Sequence, residues 1–370
     1  KSHFAAVKVL HWFFEACVWQ ALNWLRLALS VTGQFASQAA ARLESSKWFA
    51  KQVMLEANVP TARAAAFDRV ADALAALDGF GPTWVVKADG LAAGKGVLVT
   101  RVREEAAAFV RACLEGGRFG EGGARVVFEE FLAGEEASIM AVCDGERHVL
   151  LPAARDYKRA FAGDAGPNTG GMGSYAPTPA VTPAIEAEVS LRIVTPVLRA
   201  LAERGTPYRG ALYVGLMLTA TGPRVIEFNA RFGDPETQSI MPLVEGSLAR
   251  LLASAARGAL EPSAIAVRPG AAVTVALVDQ GYPDAVQGGG VLDGLNALDP
   301  AQVTVFHAGT RLEDGEWRVR GGRAAYLMAT GPTIESARAS VERARMALSG
   351  TGWRCREDIA LHIPHVMRNA

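Results

Sequence analysis

The stretch Arg224-Val225-Ile226-Glu227-Phe228-Asn229-Ala230-Arg231-Phe232-Gly233-Asp234-Pro235-Glu236-Thr237-Gln238 begins as an alternating strand and ends in a turn. Side chains alternate along a strand with a period of two, so Glu227, Asn229 and Arg231 share one face. A carboxylate beside an amide oxygen is a hard-oxygen pair that suits Mg²⁺ bridged to phosphates. An arginine next to them suits charge developing on a transferring phosphoryl group. A solvated strand face seldom sets three such groups just before Gly-Asp-Pro-Glu. The stretch reads as functional.

Upstream, residues 166–173 are Gly-Pro-Asn-Thr-Gly-Gly-Met-Gly, with so little side-chain bulk that a ligand is expected against the backbone. Further upstream, Val126-Val127-Phe128-Glu129 is an apolar strand. It runs through Glu130-Phe131-Leu132-Ala133-Gly134 into another strand near Ser138. Such a connector can present backbone donors and acceptors to a purine edge, and Glu136 can accept from ribose hydroxyls. Taken singly, a solvated acidic turn explains it better. Thr83–Lys87 and Val97–Val99 read as strands flanking Ala88-Asp89-Gly90-Leu91-Ala92-Ala93-Gly94-Lys95-Gly96. This glycine-rich flap can bring backbone N–H groups close to phosphates, and Lys87 and Lys95 add point charges. It is not a Walker loop: the glycine spacing is short, and Gly96 stands where Ser or Thr would follow the lysine. Alone, a plain glycine hairpin explains it about as well.

Helical patterns are expected over 35–57, ending at Pro60, and over 66–77. Later strand-like runs lie at Ala272–Leu277, Val303–His307 and Ala324–Thr330, followed by a helix from Thr333 to Leu348. At roughly 150 residues per domain, 370 residues imply two or three units. Half the residues are apolar and 21% charged, which excludes a disordered or collagen-like chain. Thirty-eight basic residues balance 38 acidic ones, so no net field recruits nucleic acid or an anionic membrane. Cys17, Cys113, Cys143 and Cys355 lack metal-ligand spacing and are expected as reduced thiols of a cytoplasmic protein. Residues 1–34 are aromatic, with Trp12, Trp19 and Trp24, but Lys8, His11, Glu15, Asn23 and Arg26 interrupt them. They read as an amphipathic helix on an apolar surface, neither a membrane span nor a signal peptide.

The order of Lys87, Gly94-Lys95-Gly96, Glu129-Glu130-Phe131-Leu132, Glu136 and Glu227-Phe228-Asn229 resembles the ATP-grasp superfamily. The stretches Lys87–Val97, Gly166–Gly173 and Arg231–Gln238 narrow the resemblance to the phosphoribosylamine–glycine ligase (glycinamide ribonucleotide synthetase) family. It runs from about Ala39 to the C-terminus and includes Phe306-His307-Ala308-Gly309-Thr310 and Gly321-Gly322-Arg323. Two departures stand out. Where the family has Gln-Asp-His-Lys-Arg, this chain has Arg155-Asp156-Tyr157-Lys158-Arg159. The family also opens with a Rossmann-like domain carrying a glycine-rich turn, which residues 1–34 do not match, so that domain is expected to be absent or replaced.

The resemblance implies an α+β chain: an ATP-grasp domain of two α+β lobes at 35–256, then a small β-rich domain at 264–370. It implies ATP-dependent ligation of glycine to 5-phosphoribosylamine through glycyl phosphate, giving glycinamide ribonucleotide, ADP and phosphate in purine biosynthesis. Lys87, Gly94, Lys95, Gly96, Glu129, Glu130, Phe131, Leu132 and Glu136 are then nucleotide-binding, and Glu227 and Asn229 hold Mg²⁺ or Mn²⁺. Arg231 and Lys95 are catalytic. Asp156, Lys158, Asn168, Thr169, Gly170, Gly171, Asp234 and Glu236 bind substrate. The expected partners are small molecules only, for a monomer without nucleic acid or membrane. Two other readings stay open: another ATP-grasp carboxylate–amine ligase, or a non-catalytic nucleotide-binding module.

Overall fold

A computed structural model describes residues 37, 39–90, 96–117 and 119–361. The segment 1–34, Cys17, and the flap residues Gly94 and Lys95 lie outside the described residues. Cys113, Cys143 and Cys355 form no disulfide. Among the described residues no helix is long and apolar enough to cross a membrane.

A small lobe carries a four-stranded antiparallel sheet in the order Ala64–Phe67, Val126–Glu129, Trp84–Ala88, Val97–Thr100. Helix Arg103–Leu114 buries Ala106, Phe109, Val110 and Cys113, the i, i+3, i+4, i+7 stripe of an amphipathic helix, against Trp84, Val86 and Phe128. The expected helix over 66–77 starts only at Val70. Ala64–Phe67 is instead an edge strand on Val126–Glu129. Alanine is a strong helix former, but strand pairing overrides that local preference.

The large lobe holds a second antiparallel sheet, in the order Gly222–Asn229, Arg209–Thr219, Glu135–Asp144, His148–Leu150. Both faces of its central strand Glu135–Asp144 are covered, so its middle, Ile139–Cys143, reads as a continuous apolar run. Ala137, Ile139, Ala141 and Cys143 meet helices Lys47–Glu56 and Thr195–Glu203. Met140 and Val142 meet the side of helix Leu248–Ala256. The helix expected over 35–57 is two pieces, Arg42–Ser45 and Lys47–Glu56. Ser46 between them is extended (φ −138°, ψ 112°), and its hydroxyl caps the second piece by accepting from Phe49 N at 3.1 Å.

The C-terminal sheet runs Thr304–His307, Arg323–Gly331, Ala271–Asp279, Gly173–Ala176, Arg155–Asp156, with Trp353–Arg354 also on Ala271–Asp279. Helix Ile334–Met346, with a Thr333–Ser336 capping box, packs Ala337, Val341 and Ala344 onto it. Two of these strands come from the middle of the chain. They flank residues 157–172, so the glycine-rich loop is held between the C-terminal sheet and the large lobe.

Candidate active site

The two lobes face each other across a cleft of about 800 Å³. Strand alternation builds its small-lobe wall. Trp84, Val86 and Ala88 enter the lobe core, which leaves Val85 and Lys87 facing the cleft. Phe128 likewise turns inward and Glu129 outward.

The large-lobe wall depends on a β-bulge. Gly215 pairs with Glu227 and Leu216 with Val225, so Ile226 is the extra residue. Val225 and Phe228 therefore both enter the core, while Ile226, Glu227 and Asn229 all line the cleft. Bulges re-aim side chains in this way beside functional sites. At the bulge, the Ile226 carbonyl accepts from Lys87 Nζ at 3.2 Å, and the Val225 carbonyl accepts from the Thr61 hydroxyl at 2.8 Å.

Lys87 shares the Glu129 carboxylate with a lysine from helix Lys47–Glu56. Glu129 Oε2 lies 2.9 Å from Lys87 Nζ and Oε1 lies 3.1 Å from Lys51 Nζ. All three side chains are at most 5% exposed. Burial alone would raise the Glu129 pKa, but Lys87 and Lys51 outweigh it and hold the carboxyl below its ordinary value. Burial pushes the Lys51 ammonium down against the pull of Glu129. Glu129 thus contributes by holding two cations, one of which faces the cleft.

Glu227 sits in a second network. Lys158 Nζ lies 3.5 Å from both Glu227 Oε1 and Glu136 Oε2. Burial alone would raise the Glu227 pKa; Lys158, Lys87 and Lys47 outweigh that and keep it low. Among the described residues no three His, Cys, Asp or Glu side chains converge as a metal cage. The donors here are one carboxylate and one amide, with the Lys87 ammonium nearby. That set fits a hard divalent cation that keeps water and substrate-phosphate ligands better than an ion needing an all-protein cage.

Arg231 is tied by its Nε to Glu44 Oε1 at 3.1 Å and by Nη1 to the Phe232 carbonyl at 3.2 Å. Asp234 accepts from Arg323 Nη2 at 2.9 Å and from Gln238 Nε2 at 2.9 Å. Arg323 also donates to the Gly170 carbonyl at 2.6 Å, and the Tyr282 hydroxyl accepts from Gly170 N at 3.0 Å. The C-terminal unit therefore clamps the glycine-rich loop onto the cleft. Thr169 closes that loop on itself, its N and hydroxyl both donating to the Lys158 carbonyl. Gly171 has φ +113°, and a Cβ there would lie 2.3 Å from Pro235 Cδ and 2.8 Å from Asp156 Oδ1. Only glycine fits. Asp156 Oδ1 is buried without a hydrogen-bond partner; burial, then the nearby Glu236, push that carboxyl well above its ordinary range. Glu236 accepts from the Ser138 hydroxyl at 3.0 Å.

Most residues singled out from the sequence meet here. Lys87, Glu129, Glu130, Phe131, Leu132, Glu136, Asp156 and Lys158 line the cleft, as do Asn168, Thr169, Gly170, Glu227, Asn229, Arg231, Asp234 and Glu236. Gly96 lines an adjoining cavity of about 180 Å³. Gly171 lies behind Asp156. The two altered positions of the 155–159 motif, Arg155 and Tyr157, do not line the cleft. Arg155 pairs with Glu135 at 2.9 Å, and Tyr157 packs in the C-terminal core. Alternation sends them away from the face that Asp156 and Lys158 present. Sequence reading missed Glu44, Lys47, Lys51, Tyr282 and the site role of Arg323. The available signal for Lys47 and Lys51 was their four-residue spacing on an otherwise apolar helix face.

Residues 45–237 match the phosphoribosylglycinamide synthetase ATP-grasp (A) domain, and residues 272–362 match the C domain of the same enzyme. The chain belongs to the phosphoribosylglycinamide synthetase family. Within that family it is 47% identical over 327 residues to the phosphoribosylamine–glycine ligase of Caulobacter vibrioides, covering 87% of this chain and 76% of the relative. The Mesorhizobium japonicum enzyme of the same name is 44% identical over 326 residues, with the same coverage. A crystal structure of phosphoribosylamine–glycine ligase from Thermotoga maritima superposes with a TM-score of 0.77 at 37% identity, covering 88% of this chain and 81% of that one. Biotin carboxylase from Campylobacter jejuni shares the fold alone, with a TM-score of 0.64 at 15% identity over 87% of this chain and 71% of its own. The family settles the ATP-grasp fold and an ATP-dependent ligase that uses a divalent metal ion.

Proposed function

We propose that this cleft joins glycine to 5-phosphoribosylamine, with ATP driving the reaction through glycyl phosphate. The observation that carries the reading is the face bearing Glu227, Asn229 and Arg231, turned toward Lys87 across the cleft. A carboxylate is a poor electrophile, so its oxygen first takes the γ-phosphoryl of ATP. The amine nitrogen then attacks the carbonyl carbon, the bond to phosphate oxygen breaks, and an amine proton is released.

The nucleotide fits the side where Val85 and Val99 of the small lobe oppose Met217 and Ile226 of the large lobe, beside the exposed Phe131. These groups supply an apolar slot for a base, and the Glu130–Leu132 connector supplies backbone groups for its edge. Glu136 is placed for ribose hydroxyls. Lys87 holds a phosphate oxygen with the ammonium hydrogen that Glu129 and Ile226 leave over. Lys95, carried from the sequence motif, adds a second charge. Arg231 faces the transferring group, where an already oriented cation costs little reorganisation. Glu227 and Asn229 would hold Mg²⁺, which supplies neutralisation of phosphate charge. Asp156, Lys158, Asn168–Gly171, Asp234 and Glu236 form the end left for glycine and the phosphoribosyl substrate.

The test is Glu227→Gln, assayed by ADP release with glycine and phosphoribosylamine. Turnover at saturating Mg²⁺ is expected to fall roughly a hundredfold or more, since metal neutralisation is worth several kcal/mol. The melting temperature should change little. Near wild-type turnover would remove Glu227 from the site.

A further inference from the structure

Glu44 lies on the four-residue helix Arg42–Ser45, ahead of the element that carries Lys47 and Lys51. Its carboxylate divides between two neighbours in sequence. Oε2 accepts from the backbone N–H of Ala230 at 2.9 Å, and Oε1 accepts from Arg231 Nε at 3.1 Å. These contacts join residues 186 and 187 positions apart. Glu44 is 21% exposed at the side chain against 56% for Arg231, so the anchor is the better buried partner. Glu44 and Arg231 both line the small adjoining cavity, whereas only Arg231 also lines the main cleft.

From this geometry we infer that Glu44 is a positioning residue for Arg231, setting the direction in which its guanidinium enters the cleft. An arginine loses rotamer entropy when it is fixed. A free, half-exposed Arg231 would incur that loss at the moment of phosphoryl transfer. Glu44 takes Nε and the Phe232 carbonyl takes one Nη1 hydrogen, which restrains the side chain beforehand. Among the described residues the Nη2 hydrogens and the second Nη1 hydrogen are left for an anion. Grasping Ala230 N–H with the other oxygen ties the carboxylate to the backbone beside the arginine. The pair is therefore anchored to the backbone that follows strand Gly222–Asn229 as well as to the helix.

This inference rests on the ligase reading and on Arg231 acting in it, and a double-mutant cycle separates the two. Glu44→Ala, Arg231→Ala and the double variant are compared by ADP release with glycine and phosphoribosylamine, alongside the ATP-induced melting shift. Arg231→Ala should lose a hundredfold or more in kcat. Glu44→Ala should lose about tenfold in kcat, with KM for ATP within twofold and the ATP-induced shift retained. The double variant should match Arg231→Ala alone, because Glu44 has nothing left to position. If the double variant falls a further tenfold, Glu44 acts independently of Arg231 and the inference is overturned. If Arg231→Ala keeps wild-type kcat, the role of Arg231 in the ligase reading fails instead. Should Glu44→Ala not fold, Glu44→Asp, which shortens the reach to Arg231, takes its place in the cycle, and the same non-additivity with Arg231→Ala is required. Full kcat in Glu44→Gln with a full loss in Glu44→Asp would assign the effect to geometry; unchanged kcat in both would also overturn the inference.

Discussion

Replacing Lys51 by methionine tests whether the lysine–glutamate–lysine cluster holds the lobes together. Lys51 is 1% exposed, and its ammonium meets Glu129 Oε1 at 3.1 Å, Thr61 Oγ1 at 2.7 Å and the Ala62 carbonyl at 3.3 Å. Methionine is similar in length and leaves no large cavity, so the cost is electrostatic. Stripping one partner from a buried ion pair typically costs 3–5 kcal/mol. Glu129 keeps Lys87 at 2.9 Å, which places the loss at the low end. Removing a strongly desolvated ammonium returns part of the cost, while the Ala62 carbonyl loses its side-chain donor. The balance is about 2–4 kcal/mol. With roughly 2–4 °C per kcal/mol for a chain of a few hundred residues, the melting temperature should drop by about 4–16 °C. Calorimetry and urea titration followed by tryptophan fluorescence measure it, since Trp84 is buried in the small lobe. In a cycle with Glu129→Gln the two losses should couple by at least about 1 kcal/mol. A loss below about 1 kcal/mol, or strict additivity with Glu129→Gln, would refute a shared buried carboxylate.

Two pH dependences follow from buried carboxyls of opposite sign. Burial alone would raise the Asp279 pKa, but the backbone N–H groups of Gln287, Gly281 and Gly288 outweigh it and hold it below 3.8. Its stabilisation is full above that value and lost as pH falls through the lower folded one. Asp279→Asn should therefore destabilise at pH 7 by about 1–3 kcal/mol, with the difference from wild type shrinking below pH 4 in acid titrations of melting temperature. Asp156 behaves in reverse: its folded pKa lies well above 3.8, so stability present at low pH is lost as pH rises through the folded value. Asp156→Asn should melt about 2–4 °C higher than wild type at pH 8 and equally near pH 3.5, while losing glycine-dependent turnover.

The pieces of the site that are local along the chain are legible in the sequence itself. Alternation alone puts Glu227 and Asn229 on one face, and the small side chains of 166–173 mark where backbone would meet ligand. The strands at 84–88, 97–100 and 126–129 follow from apolar runs and glycine boundaries. These features depend on a chain's own period and its glycines, which pairing partners do not change.

What folding alone decided involves partners far apart along the chain. The bulge at Ile226 exists because a particular register with Arg209–Thr219 was selected, and no propensity of Ile226 announces it. The strand at Ala64–Phe67 replaced a helical pattern once Val126–Glu129 offered it an edge. Glu129 reads as a ligand group in sequence, and only the approach of helix Lys47–Glu56 turned it into the holder of Lys51 and Lys87. Glu44 and Arg231, 187 positions apart, and Arg323 and Asp234, 89 apart, become partners through sheet order and lobe packing. Charge and hydrogen-bond partnership are properties of distances a few ångströms long. Sequence sets which groups can pair, and the tertiary arrangement of strands and helices sets which of them come within that reach.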